Sequence, residues 1–85
     1  MEILFYNYST GLIMVLNHGN ESIDIIDYNY TVYESLGYWA EPNNEDLLYY
    51  WERACRNCLL NEKITQESLK ELKKVLEEKY AENEN

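Results

Sequence analysis

Apolar and polar positions along this chain change period once. Up to about residue 36 they fall in twos or in short unbroken runs, and from about residue 43 they recur in threes and fours. Glu2 to Tyr8 is rich in apolar and aromatic residues and predicts a strand. Ser9-Thr10-Gly11 then signals a turn. Leu12 to Leu16 is apolar without interruption, so the second strand is expected to be buried on both faces or nearly so. Asn17-His18-Gly19-Asn20 supplies another turn, since Gly and Asn tolerate positive φ. Ser22 to Tyr33 is β-branched and aromatic but carries a fault. Ile23 and Ile25 share one face with Asp24 opposite, and then Ile26 and Asp27 break the alternation. A bulge, or division into two short strands, restores it.

Residues 36–42 read as a connection punctuated by Gly37 and Pro42. Asn43 or Asn44 can cap a helix whose first turn holds Glu45 and Asp46, where the helix dipole favours acids. That helix is predicted over 43–60, with Leu47, Leu48, Trp51, Ala54, Cys55, Cys58 and Leu59 as its apolar face. A second is predicted over 65–82, capped by Thr65 and stapled by Ile64 and Leu69, with a stripe of Leu69, Leu72, Leu76 and Tyr80 beside Val75. Residues 83–85 read as a frayed tail. The expected fold is α+β: a small antiparallel sheet of three to four strands followed by two helices, in a single domain spanning 1–85.

A chain of 85 residues builds only a thin core, with little room for a deep pocket. Gly11, Gly19 and Gly37 form no phosphate-binding loop. His18 stands in a turn with no sequence partner for a catalytic triad. Cys55-Arg56-Asn57-Cys58 is a C-x-x-C, but a zinc site needs four ligands and only His18 remains as another soft one. A thioredoxin-like pair would open a helix, whereas this one falls near a helix end. Two small apolar side chains on a buried face account for it. The expectation is therefore a protein that is not an enzyme, with no catalytic group, metal or cofactor. The longest apolar run is far below the roughly 20 residues of a membrane span. The start Met1-Glu2-Ile3 carries an acid where a secretory signal has a base. Two close cysteines suit reduced thiols, and a cytoplasmic location is expected.

Charge changes this picture most. Sixteen acids against seven bases give a net charge of −9. Glu2, Glu21, Asp24, Asp27, Glu34, Glu41, Glu45, Asp46 and Glu52 all precede the first base, Arg53, and from there to Asn85 acids and bases balance. The tyrosines follow the acids, because eight of the nine lie before Arg53 and Tyr80 alone lies after it. Strand propensity explains the tyrosines but not the missing bases. Such a chain is not expected to bind nucleic acid or an anionic membrane directly, and a basic protein partner is favoured. Carboxylates at i and i+2 on a strand stand about 6.5–7 Å apart, on the scale of phosphate spacing in one DNA strand. Acids with tyrosines between them could thus imitate a nucleic acid. The candidate contact residues are Glu21, Asp24, Asp27, Glu34, Glu41, Glu45 and Asp46, with Tyr28, Tyr30, Tyr33 and Tyr38 beside them.

In size, in charge, and in its base-free, tyrosine-rich stretch from Met1 to Glu52, the chain resembles the small acidic inhibitors of phages and mobile elements, of the anti-CRISPR and anti-restriction kind. The resemblance implies a host nuclease or nucleic-acid-binding effector as the target, met in the host cytoplasm. It assigns no residues, because those inhibitors share no motif. Two other classes fit the same pattern. One is an immunity protein or antitoxin neutralising a basic toxin. The other is a structural or regulatory subunit that self-assembles, a homodimer included, with its charge serving solubility.

Overall fold

Strand follows strand without a crossover in the computed structural model, which describes residues 1–37 and 41–83, with side chains described as far as residue 78. The elements are β1 (Glu2–Asn7), β2 (Leu12–Asn17), β3 (Ser22–Ile26), β4 (Val32–Gly37), α1 (Asn44–Asn57) and α2 (Glu62–Asn83). The strands form one antiparallel sheet in the order β1-β2-β3-β4. The fold is α+β, with a four-stranded sheet followed by two helices. No helix among the described residues is long and apolar enough to cross a membrane.

The fault in Ser22–Tyr33 is resolved by division into two strands, and the bulge lies in the second of them rather than at Ile26 and Asp27. The segment divides into β3 and β4, and the register slips between Ile25 and Ile26, leaving Tyr33 unpaired between Val32 and Glu34. Asp27 builds the intervening turn, its Oδ1 accepting from the backbone N–H groups of Asn29 (2.8 Å) and Thr31 (3.1 Å). Leu36 and Gly37 belong to β4 rather than to the connection, because they pair with Ile23 and Ser22.

The register sorts the side chains. Phe5, Met14 and Ile25 align on one face with Leu12, Leu16 and Ile23, and both helices pack there. Leu47, Trp51, Ala54 and Cys55 of α1 and Leu72 of α2 complete that core. Trp51 is fully buried, meets Phe5 edge-on at 4.9 Å between centroids, and donates its indole N–H to Ser68 Oγ at 2.9 Å. The opposite face carries Val15, Asp24 and Ile26, which are also buried, so β2 is covered on both sides as its unbroken apolar run implies, and β3 is too.

Both helix boundaries depart from the expected ones. α1 ends at Asn57 in a Schellman turn, with Leu60 N donating to Cys55 O (3.2 Å) and Leu59 N to Arg56 O (3.0 Å). Leu59 takes the left-handed position of that turn (φ 56°) and is 92% exposed, so it leaves the apolar face to which its spacing assigned it. α2 begins at Glu62, not after Thr65. Asn61 is the better cap and accepts from Ile64 N at 2.8 Å, while Thr65 is turned inward and donates from Oγ1 to Asn61 O.

Candidate functional site

A meander returns its turns alternately to two ends of the sheet. At one end stand the start of β1, the β2–β3 turn and the end of β4, since Glu2 pairs with Leu16, and Asn17 with Ser22, which pairs with Gly37. The start of α1 lies at this end too, because Pro42, Asn44 and Leu47 share a cavity with Glu2, Leu16 and Ile23. At the other end stand the β1–β2 turn, the β3–β4 turn and the close of α1, where Cys58 meets the Tyr33 hydroxyl.

The acids preceding Arg53 divide by this geometry. Glu21, Glu41, Glu45 and Asp46 are exposed at the first end. Glu2, which nothing in its sequence neighbourhood singles out, joins them, exposed at the start of β1. Its position on an edge strand beside the β2–β3 turn becomes a signal only once the meander is known. Glu45 faces a groove between the helices that is also lined by Lys70 and Lys73. Asp46 closes a capping box on α1, accepting from Asn43 N at 3.0 Å while Asn43 Oδ1 accepts from Asp46 N at 2.9 Å. Glu21 (φ 51°) and Glu41 (φ 47°) hold left-handed backbone conformations in which a residue with a Cβ is disfavoured by about 1–2 kcal/mol.

The remaining acids serve the fold. Asp24 is 4% exposed, so it cannot meet a partner. Its Oδ1 accepts from Ser22 Oγ (2.9 Å) and Ser35 Oγ (2.5 Å), and its Oδ2 from Asn17 Nδ2 (3.2 Å), tying three strands together. Asp27 Oδ2 accepts from the Tyr33 hydroxyl at 2.8 Å. That bond, with the two backbone N–H groups of its turn, holds the Asp27 carboxyl below its ordinary pKa, and the same bond, first, with burial pushes Tyr33 up to about 12. Glu34 is half-buried and pairs with Arg53 Nε at 3.0 Å, and Glu52 pairs with Arg56 at 2.6 Å. These are the two ion pairs among the described residues.

Five of the tyrosines, Tyr6, Tyr8, Tyr28, Tyr30 and Tyr33, gather at the second end, while Tyr49 and Tyr50 lie on α1 with Tyr49 exposed in the groove that Glu45 faces. Tyr8, Tyr28 and Tyr30 are 84%, 57% and 73% exposed. Tyr6 meets Tyr8 and Tyr28 edge-on at 4.7 and 6.0 Å, and the Tyr6 and Tyr28 hydroxyls share a hydrogen bond that raises the Tyr6 pKa well above its ordinary value. Tyr33 is half-buried against Asp27, and Tyr38 lies outside the described residues. Acids and tyrosines are therefore not interleaved on one strand face. The expected strand ladder of carboxylates is absent among the described residues, because Asp24 is enclosed and Asp27 is tied into its turn.

Cys55 is buried in the core and Cys58 half-buried at the end of α1, both as free thiols whose pKa burial raises. His18 is exposed in the β2–β3 turn. Among the described residues no three His, Cys, Asp or Glu side chains come together as metal ligands. Comparison with protein-family models, with curated proteins and with solved structures finds no match.

Proposed function

We propose that this protein is an acidic inhibitor that binds the basic, nucleic-acid-binding surface of a host defence effector, a nuclease of the CRISPR or restriction type, and does no catalysis of its own. The observation that carries the proposal is the exposed acidic end: Glu2, Glu21, Glu41 and Asp46 stand there with no ion pair among the described residues. The strain at Glu21 and Glu41 supports it. Gly or Asn would relieve that backbone, and strained positions cluster where side chains have work outside the fold. With no ladder of carboxylates at phosphate spacing, the imitation of nucleic acid is one of charge density presented by an end of the domain. A Lys- and Arg-lined groove would close over that end and be lost to its substrate.

The test uses Glu2→Gln, Glu21→Gln and Glu41→Gln together, which removes three charges without touching the α1 cap. Tagged protein is recovered from cells expressing a nuclease effector, at low and at high salt, with and without duplex DNA. The intact protein should retain a basic nuclease that salt or DNA displaces. The triple variant should bind that nuclease roughly thirtyfold more weakly at low salt, from about 0.2–1 kcal/mol for each exposed pair lost. Unchanged retention by the variant, or a partner indifferent to salt and DNA, would remove the basis of the proposal. Recovery of the protein alone, as a salt-resistant oligomer, would favour a self-assembling subunit.

A further inference from the structure

Beside the acidic end the core opens outward. A cavity of about 310 Å³ enters between the sheet and the two helices. Leu4 and Leu16 form its sheet side, Leu47 its α1 side, and Leu72, Val75 and Leu76 its α2 side. Among the described residues Glu2 is the only charged one in its lining. Glu41 adjoins Pro42, and Glu45 and Asp46 follow Asn44, so three further acids flank the rim residues in sequence. The volume is at the small end of ligand pockets, about 300–1,000 Å³, and suits one or two apolar side chains rather than a large molecule. Val75 is 37% exposed on a helix that otherwise turns charge to solvent, so apolar surface reaches the rim.

We infer that this cavity takes an apolar anchor side chain of the partner, presented between Lys and Arg residues that meet Glu2, Glu41 and Asp46. The inference rests on the acidic-inhibitor reading and gives it a second, uncharged component. Charge alone would attach the chain to any basic surface. A desolvated anchor in a pocket, ringed by charge pairs, is what concentrates binding energy and selects one surface among many. The occupant is basic where it meets the sheet and α1, because Glu2 lies in the lining there and Glu41, Glu45 and Asp46 flank it, whereas on α2 Lys73 and Lys74 stand next to Leu72 and Val75. It is apolar at its tip because the described lining is mostly hydrocarbon, Leu4, Leu16, Leu47, Leu72 and Leu76 among it, with Glu2 and Asn44 as its polar side chains.

Two nine-residue peptides test this with the full chain. Each carries two Lys and two Arg around one central residue, Leu in the first and Ser in the second. Binding is followed by amide chemical shifts, with Val75→Lys as the variant, because a half-exposed helix position accepts Lys without loss of fold. The Leu peptide should bind roughly tenfold more tightly than the Ser peptide, and shift residues 2–4 and 72–76. Val75→Lys should abolish the difference. Equal affinity for the two peptides, or shifts confined to the tyrosine end, overturns the anchor while leaving the acidic reading in place. If neither peptide binds, both readings fail. A chain that sediments alone as a dimer, and becomes a monomer with Val75→Lys, gives the cavity to a second copy and overturns the inference.

Discussion

The two ends of this small sheet are built from the same kinds of segment, strand ends and short turns, and treat polar groups in opposite ways. At the tyrosine end the polar atoms bond to one another. Asp27 holds two backbone N–H groups and the Tyr33 hydroxyl, and the Tyr6 and Tyr28 hydroxyls are hydrogen-bonded to each other. At the acidic end Glu2, Glu21 and Glu41 are exposed with no ion pair among the described residues, while left-handed backbone occurs at both ends, at Glu21 and Glu41 here and at Tyr30 and Leu59 there. A turn needs only one well-placed carboxylate to be stable, as Asp27 shows. Acids beyond that number add repulsion, which makes the outward set the one that asks for an external partner.

The sharpest way to break this contrast is to treat a scaffold acid as a contact acid. Asp24→Ala should destabilise the fold by about 3 kcal/mol in urea unfolding, because Ser22, Ser35 and Asn17 lose a shared buried acceptor. Partner affinity, measured where the variant remains folded, should be unaltered. A surface-like change of under about 0.5 kcal/mol would return Asp24 to the candidate surface. Next in size, Glu21→Gly should raise stability by about 0.5 kcal/mol, the relief of a left-handed Cβ less the entropy of glycine, and should weaken partner binding. A gain in stability with no loss in binding would mean that the strain at Glu21 serves nothing outside the fold.

The pH response should belong to the tyrosine end. The folded-state pKa of Tyr33 is raised to about 12, so its contribution is complete below the ordinary tyrosine value of about 10 and is lost as pH climbs from 10 towards 12. Asp27 is lowered, so its contribution holds above the ordinary aspartate value and fades as pH falls below it. Absorbance titration should show Tyr33 and Tyr6 ionising after the other tyrosines, and Tyr33→Phe should flatten the alkaline fall in Tm. Co-titration of all nine tyrosines would deny the hydrogen bonds of that end. The smallest expected effect is that of Tyr8→Ser with Tyr30→Ser, which should alter partner affinity less than twofold. A larger loss would make the tyrosine end a second contact surface.

The period of the apolar positions carried the architecture: the turns at residues 9–11 and 17–20, the fault after Ile26 and the cap at Asn43 are all local chemistry. The boundaries that shifted were contests between neighbours. Asn61 outbids Thr65 as a cap only because Thr65 is wanted in the core, which is a tertiary fact. The same holds for the site. Glu21 and Asp24 are three residues apart with similar surroundings in sequence. What encloses Asp24 is the serine placed opposite it by register, Ser35 of β4, together with Asn17 and Ser22. No period in the chain reports a hydroxyl arriving from eleven residues away.

The order of the strands has a consequence in time. Each strand pairs with the one made just before it, across a turn of a few residues, and the two helices meet as a hairpin. Loop closure is therefore cheap at every step, and such a topology belongs to the faster half of small domains. The exceptions are the contacts of the helices with the sheet, of which the side-chain hydrogen bond between Asn7 at the end of β1 and Glu71 on α2 spans 64 residues. The sheet can form while later segments are still leaving the ribosome, and docking of α2 waits until that helix has been made. Docking of α2 is then the event that walls the apolar cavity beside the acids.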